Sequence, residues 1–317
     1  MEKKKLGQSD LKVSVLALGT WAMGGAQESW GSVDDRESIA AIHQALDSGI
    51  NLIDTAPIYG LGHSEEILGK AIQGRRHEVL IATKCGILFP RSTAEQPKRC
   101  LTRESVLLEC EQSLRRMRIE VIDIYQCHWP DPATPIRETM SALNTLREQG
   151  KIRAVGLSNF SCEEIAAALE FGPIHALQSP FSLLQPRASE DLIPFCMEHN
   201  IAVLPYSPLA KGLLTGTVSA TDRFAGIRAR DPDFLPPRLS RHLQTVDGLR
   251  EIAARHAKTV GQLVLNWTTT VPGVTSPIFG ARRPSQVIEN VGAAGWRLSE
   301  DDQAEIGRLM RGSGDGL

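Results

Sequence analysis

Four ionisable side chains stand where short apolar runs break off. Asp54 follows Leu52-Ile53, Lys84 follows Val79–Thr83, His128 follows Ile122–Cys127, and Tyr59 lies in a turn beyond Asp54. Taken singly, each has an ordinary structural use. A strand-end Asp caps a turn, a Lys sits on a rim, a His fills a gap with a hydrogen bond, and a loop Tyr packs. Taken together on successive strand ends, they could move a proton. A carbonyl that accepts hydride becomes an alkoxide and needs a proton at the same moment. Tyrosine, with an ordinary pKa of about 10, still holds one at neutral pH. An ammonium beside it favours the phenolate and draws that pKa toward the working range. The pattern therefore predicts Tyr59 as general acid and Lys84 as the group that tunes it. Asp54 would fix a buried Lys84, and His128 would bind the carbonyl oxygen.

Those side chains need a scaffold that brings consecutive strand ends to one mouth. Short β-branched runs recur at Val13–Gly19, Asn51–Ala56, Glu78–Cys85, Val121–His128, Ile152–Asn159, Ala176–Pro180, Ile201–Ser207 and Val274–Gly280. Helices are announced between them. Asp34-x-x-Glu37 precedes Ile39, Ile42 and Leu46, and Thr102 precedes Val106, Cys110, Leu114 and Met117. Ser161-x-x-Glu164 and Thr259-x-x-Gln262 read as capping boxes. Such alternation implies parallel strands joined by helical crossovers.

An open sheet for a dinucleotide would carry G-x-G-x-x-G after its first strand. The nearest match, Gly60-Leu61-Gly62-His63-Ser64-Glu65, lacks the third glycine and follows the second run. A closed (β/α)8 TIM barrel is expected, as one α/β domain over residues 1–317. Residues 86–99 and about 209–240 break the beat, and loops of that length usually serve a site. Ser299–Gly312 reads as an extra C-terminal helix.

The composition sets limits. With 317 residues, 42% hydrophobic, and a formal net charge of -2, the chain has no cationic excess for nucleic acid. The start Glu2-Lys3-Lys4-Lys5 leads into no long apolar run, and no stretch approaches the ~20 residues of a membrane span. A soluble, cytoplasmic protein is expected. The six cysteines form no C-x-x-C pair, and Cys127 and His128, as strand neighbours, point to opposite faces. They read as reduced thiols, with no metal site.

The four residues resemble the catalytic tetrad of the aldo-keto reductases, and the similarity runs along almost the whole chain. Asn51-Leu52-Ile53-Asp54-Thr55-Ala56-x-x-Tyr59-Gly60, continued by Ser64-Glu65-Glu66-x-Leu68-Gly69, is the most specific part. Leu6-Gly7-x-Ser9-x-Leu11-x-Val13-Ser14 resembles the family's N-terminal β-hairpin, and Leu18-Gly19-Thr20-Trp21, Ile81-Ala82-Thr83-Lys84, Tyr125-x-x-His128 and Gly150–Phe160 also match. The resemblance implies NADPH-dependent reduction of a small aldehyde or ketone, with NAD(H) as the alternative cofactor. It implies cofactor contacts from Gly19, Thr20, Trp21 and Asp54, with Ser158, Asn159 and Gln178 on the carboxamide and Tyr206 stacked on the ring. Ser207, Pro208, Leu209, Lys211 and Gly212, with Arg228, would line the pyrophosphate channel. Gly280-Ala281-Arg282 leads into a helix, where amides and cations suit phosphate. Arg282 would meet a 2′-phosphate, with Gln286 and Asn290 near the adenine.

Eukaryotic members carry Lys-Ser where this chain has Gly280-Ala281. The form here resembles bacterial general-stress and inositol-operon reductases, and distantly potassium-channel β subunits. Trp21, Tyr59, His128 and Trp129, with Phe89 beside them, would form the substrate mouth. Two other readings are open: a slow-turnover sensor that binds NADP(H), and an aldolase using Lys84 as a Schiff base.

Overall fold

Parallel pairing of short apolar strands, each followed by a helix, generates the fold. The computed structural model describes residues 1–25, 30–89 and 97–312. The chain opens with β1 (Lys3–Lys5) and β2 (Lys12–Ser14), an antiparallel hairpin. The main sheet comprises β3 (Ala17–Gly19), β4 (Leu52–Asp54), β5 (Leu80–Cys85), β8 (Ile122–Cys127), β9 (Ile152–Ser158), β10 (Ala176–Gln178), β11 (Ala202–Val203) and β12 (Ile278–Gly280). A small antiparallel pair, β6 (Ile87–Leu88) and β7 (Lys98–Arg99), branches from the end of β5. The eight-stranded sheet runs β11-β10-β9-β8-β5-β4-β3-β12 with every pairing parallel. Two isolated parallel bridges, Val203 to Val274 and Tyr206 to Ile278, join its two ends. The result is the expected (β/α)8 barrel.

Around it lie α1 (Asp35–Asp47), α2 (His63–Ala71), α3 (Arg103–Met117), α4 (Ile136–Glu148), α5 (Cys162–Leu169), α6 (Leu192–Glu198), α7 (Arg238–Arg255), α8 (Val260–Thr270), α9 (Pro284–Val291) and α10 (Glu300–Gly312). The caps are those the sequence announces. The Asp34 side chain accepts from the amides of Arg36 and Glu37, and Thr102 accepts from Ser105. Both capping boxes are complete. Each satisfies amides that a helix start leaves without partners.

The core has two layers. Inside the barrel, Leu6, Leu11 and Val13 of the hairpin meet Ala17, Leu52, Ala82, Ile124, Ala154 and Leu204. Small alanines leave room for the hairpin side chains, so the barrel bottom is plugged and dry. Between sheet and helices lies a larger apolar layer. Among the described residues, no helix is long and apolar enough to cross a membrane.

The structure differs from expectation in two places. The run Val13–Gly19 is two strands, because Ser14 breaks the ladder. Its amide donates to Asn51 Oδ1 at 2.7 Å and its hydroxyl to the Leu16 carbonyl at 2.7 Å, turning the hairpin into the barrel. The stretch around 209–240 holds three short 3-10 turns and then enters α7, an additional helix between β11 and α8. The outer layer therefore gains α7, which packs on the expected C-terminal helix α10. Of the loop 86–99, residues 90–96 lie outside the described residues.

Helices α2 and α3 approach through Gly69. A Cβ at that position would lie 2.6 Å from the Met117 carbonyl oxygen and 2.8 Å from its Cα. Backbone cannot yield as a side chain would. Gly69→Ala should therefore destabilise the fold by about 1–3 kcal/mol through overpacking, despite alanine's better helix propensity. A urea melt of the two proteins checks this by a lower midpoint at unchanged slope.

Candidate active site

The C-terminal ends of the strands open into a cleft of about 960 Å³. Its floor is a buried ion pair. Lys84, at 0% exposure on β5, points into the barrel and places Nζ 2.8 and 2.9 Å from the two carboxylate oxygens of Asp54 on β4. The same ammonium donates to the Thr55 carbonyl at 2.8 Å and to the Tyr59 hydroxyl at 3.3 Å. Gln178, on β10 across the barrel, donates to Asp54 Oδ1 at 2.7 Å. Tyr59 and His128 are half-buried and face each other edge to face, with ring centres 6.0 Å apart. The structure thus brings all four predicted residues to one point.

Burial is the largest influence on each charge state. It works against the Lys84 ammonium, but Asp54 and Tyr59 together outweigh it and hold the amine above its ordinary range. Burial pushes the Tyr59 phenol up. Lys84 pulls it back, and Asp54 works against that pull. The net direction is upward, opposite to the sequence expectation, because burial outweighs the pull of the Lys84 charge and Asp54 adds to the rise. Tyr59 therefore keeps its proton at neutral pH. His128 is held well below the usual histidine range by burial and by Lys84, so its imidazole is neutral.

The strand ends beyond β8 are strained and tied together. Asn159 sits at φ +63°, a left-handed conformation that asparagine tolerates better than most residues. Its amide donates to the His128 carbonyl at 3.0 Å and to Ser158 Oγ at 3.0 Å, and its oxygen accepts from the Tyr206 hydroxyl at 2.8 Å. After β11, Ser207, Ala210, Lys211 and Gly212 all have positive φ, from +46° to +97°. Such turns present successive amides to one side, a concavity suited to phosphate.

Nearly all the predicted cofactor residues line the cleft. Gly19, Trp21, Asp54, Ser158, Asn159, Gln178, Tyr206, Ser207, Pro208, Leu209, Lys211, Gly212, Arg228, Gly280, Ala281, Arg282, Gln286 and Asn290 all do so. Two do not. Thr20 is buried beside the cleft, its hydroxyl 3.0 Å from the Asp54 carbonyl and 2.6 Å from Ser64 Oγ, so it ties β3 to β4 instead. Lys84 lies beneath the floor and reaches the cleft through Asp54 and Tyr59. At the mouth, Trp21 and Trp129 line the wall as expected, but Phe89 lies under Arg116, 5.6 Å from its guanidinium carbon.

Trp30 is the aromatic residue that sequence reasoning missed. It packs edge-on against Trp21 at 5.4 Å, carries the Arg228 guanidinium over its ring at 5.4 Å, and accepts from Arg282 at 2.9 Å through its carbonyl. Phe224, Ser285 and Glu289 also line the cleft without having been predicted. Trp30 lies in an aperiodic segment, where only its size could have drawn notice.

The cleft fits a dinucleotide in its donors. Among the described residues, Trp30 Nε1 and Arg228 Nε are buried with no hydrogen-bond partner, and both belong to residues of the wall. Unpartnered buried donors are costly in an empty fold and are satisfied by an acceptor-rich ligand. Among the described residues, no three His, Cys, Asp or Glu side chains group as metal ligands would.

The sequence model of the aldo/keto reductase family matches residues 15–311. The chain belongs to that family. It is 39% identical to Aldo-keto reductase YhdN of Bacillus subtilis, over 98% of this chain and 94% of that protein. It is 37% identical to the NADH-specific methylglyoxal reductase of Escherichia coli, over 100% of this chain and 99% of that protein. The structure of the glycerol dehydrogenase AKR11B4 from Gluconobacter oxydans superposes with a TM-score of 0.92 at 36% identity, covering 99% of this chain and 97% of that one. This aldo/keto reductase is an oxidoreductase.

The ion pair on the cleft floor carries a stability consequence. In Lys84→Met, Asp54 is left buried with only Gln178 for company. A buried carboxylate that loses its cation costs about 3–5 kcal/mol. Lys84→Met should melt well below the parent protein in calorimetry, and adding Asp54→Leu should recover part of the loss.

Proposed function

We propose that this enzyme reduces an aldehyde or ketone to the alcohol, using NADP(H) in preference to NAD(H), with Tyr59 as the proton donor. The observation that carries the reading is the Tyr59 hydroxyl 3.3 Å from a fully buried Lys84 whose remaining bonds go to Asp54 and Thr55. The phenol enters the reaction protonated. As it gives up the proton, its oxygen gains charge directly beside the ammonium, so the stabilisation grows toward the transition state. His128, neutral and across the cleft, can hydrogen-bond the carbonyl oxygen without competing for that proton. A nicotinamide bound by Ser158, Asn159, Gln178 and Tyr206 would supply the hydride.

The lysine is better suited to this role than to a Schiff base. An amine bound to both carboxylate oxygens and held above its ordinary pKa stays charged, and a charged amine is not a nucleophile. The substrate class expected is a small polar carbonyl. The names of two relatives, a methylglyoxal reductase and a glycerol dehydrogenase, support that size. The walls from Trp21, Trp129 and Ile58 would bury its carbon face.

The cofactor preference rests on Arg282 and Ser285 at the start of α9, where cations and amides meet a 2′-phosphate. One observation favours NAD(H) instead. Glu289 lines the same cleft, and a carboxylate repels phosphate while accepting from ribose hydroxyls.

Tyr59→Phe should lower kcat for methylglyoxal by about 10²–10⁴ while leaving the dissociation constant of the dinucleotide within about twofold. Loss of binding instead would make Tyr59 a structural residue. Arg282→Ala should weaken NADPH by about tenfold or more and leave NADH nearly unchanged, as loss of a charge-assisted contact requires. Equal loss for both would favour the NAD(H) reading.

A further inference from the structure

Glu109, on α3, is a buried carboxylate outside the Asp54–Lys84–Tyr59 chain. Its oxygens accept from the Gly86 amide at 3.0 and 3.2 Å. One of them also accepts from the Ser105 hydroxyl, a turn earlier on the same helix, at 2.8 Å. Gly86 is where the chain leaves β5. It turns at φ +87°, and a Cβ there would lie 2.4 Å from Leu101 Cδ2, so glycine is required at this corner. Its carbonyl accepts from the Cys100 amide at 3.2 Å. Both polar groups of the corner are therefore tied.

What this corner connects matters for the reaction. Lys84 stands two residues before it, and Ile87, a wall of the cleft, stands directly after it. The β6–β7 pair that grows from it ends in Arg99, whose guanidinium lies 4.9 Å from the ring centre of Trp129, another wall.

We propose that Glu109 is a positioning residue for the substrate wall. Its carboxylate clamps the Gly86 amide and thereby sets where the β6–β7 pair stands relative to the Tyr59 hydroxyl. This inference rests on reading the cleft as a carbonyl-reducing site.

The clamp depends on protonation. Facing Glu109 are Ser105 and Arg116 on α3, Glu65 on α2, Cys85 on β5 and Tyr125 on β8. Arg116 is committed to Glu65 at 2.6 Å. Burial outweighs the help from Ser105, Gly86 and Arg116, Glu65 adds its repulsion, and the carboxyl is pushed up to about 7. Ionised, Glu109 holds the amide through a charge-assisted bond; protonated, it offers only a neutral acceptor. The clamp is complete above that pH and weakens as pH falls through it. The neighbouring groups are silent in this window. Tyr59, Cys85 and Tyr125 are raised by burial, and His128 is well below its usual range.

The test is the KM for methylglyoxal, a neutral probe, at saturating cofactor between about pH 6 and about pH 8. In the unaltered enzyme KM should rise about threefold or more toward the acid side, with kcat changing less. Glu109→Gln keeps an acceptor oxygen but cannot titrate, and its KM should be flat. Ser105→Ala removes a bond to the ionised form, so its step should move to higher pH. The Gly86 amide resonance should titrate with the same midpoint in the parent protein and not in Glu109→Gln. A flat KM in an active parent enzyme overturns the proposal, as does a step that survives Glu109→Gln. Should Glu109→Gln fail to fold, an unshifted step in Ser105→Ala overturns it equally. Absence of turnover in every protein with every carbonyl would instead sink the reductase reading, and a Gly86 amide that ignores pH would then dispose of the clamp by itself.

Discussion

The ion pair between Lys84 and Asp54 is the constraint around which the barrel top is organised. Two charges inside a barrel lose most of their hydration, and their mutual attraction repays that only when every remaining proton and lone pair is met. Here Thr55, Tyr59 and Gln178 meet them, which draws β4, β5 and β10 to one point. The layer below is alanine, leucine and isoleucine from the barrel strands and the N-terminal hairpin. That dry floor keeps the local dielectric low, and a low dielectric is what makes an ammonium effective on a phenol oxygen in contact with it.

A second constraint is that a narrow barrel end must become a long groove. The chain does this with backbone conformations that ordinary residues avoid. Asn159, Ser207, Ala210, Lys211 and Gly212 take left-handed angles, each costing of order 1–3 kcal/mol where the residue is not glycine. Surrounding bonds hold them: the Tyr206 hydroxyl and His128 carbonyl on Asn159, and the Lys211 ion pair with Asp231. The strained turn reaches the aromatic wall through Arg228, which lies against Gly212 and over the Trp30 ring.

Much of this was legible in the sequence, for reasons that differ by element. Capped helices announce themselves locally, since Asp34, Thr102, Ser161 and Thr259 act on amides two or three residues away. The tetrad was legible because strand ends of a barrel converge, so residues distant in sequence share an address. The break at Ser14 was not legible, because its bonds go to Asn51, far along the chain. The place of Thr20 was likewise hidden: it lies in a matching motif, yet its hydroxyl serves Ser64 and the Asp54 carbonyl. The net direction of the Tyr59 shift also escaped, since a pairwise argument counts the ammonium but not the burial that both groups share. Trp30 was missed because its segment has no periodicity; α7 does carry a helical spacing, in Leu239, Val246, Leu249 and Ile252, but it falls outside the alternation of eight strand–helix units.

The barrel is not equally bound around its girth. Seven of its eight joints are ladders, whereas β11 meets β12 through only the bridges Val203–Val274 and Tyr206–Ile278. Short ladders open first when a protein samples partly unfolded states. This seam lies directly beneath the groove, since Tyr206, Ile278 and Gly280 line it. A molecule lying across both sides acts as a staple, adding RT ln(1 + [L]/Kd) to the resistance of the closed form. The barrel's one joint without a continuous ladder is thus an edge that a molecule bound in the groove would stitch.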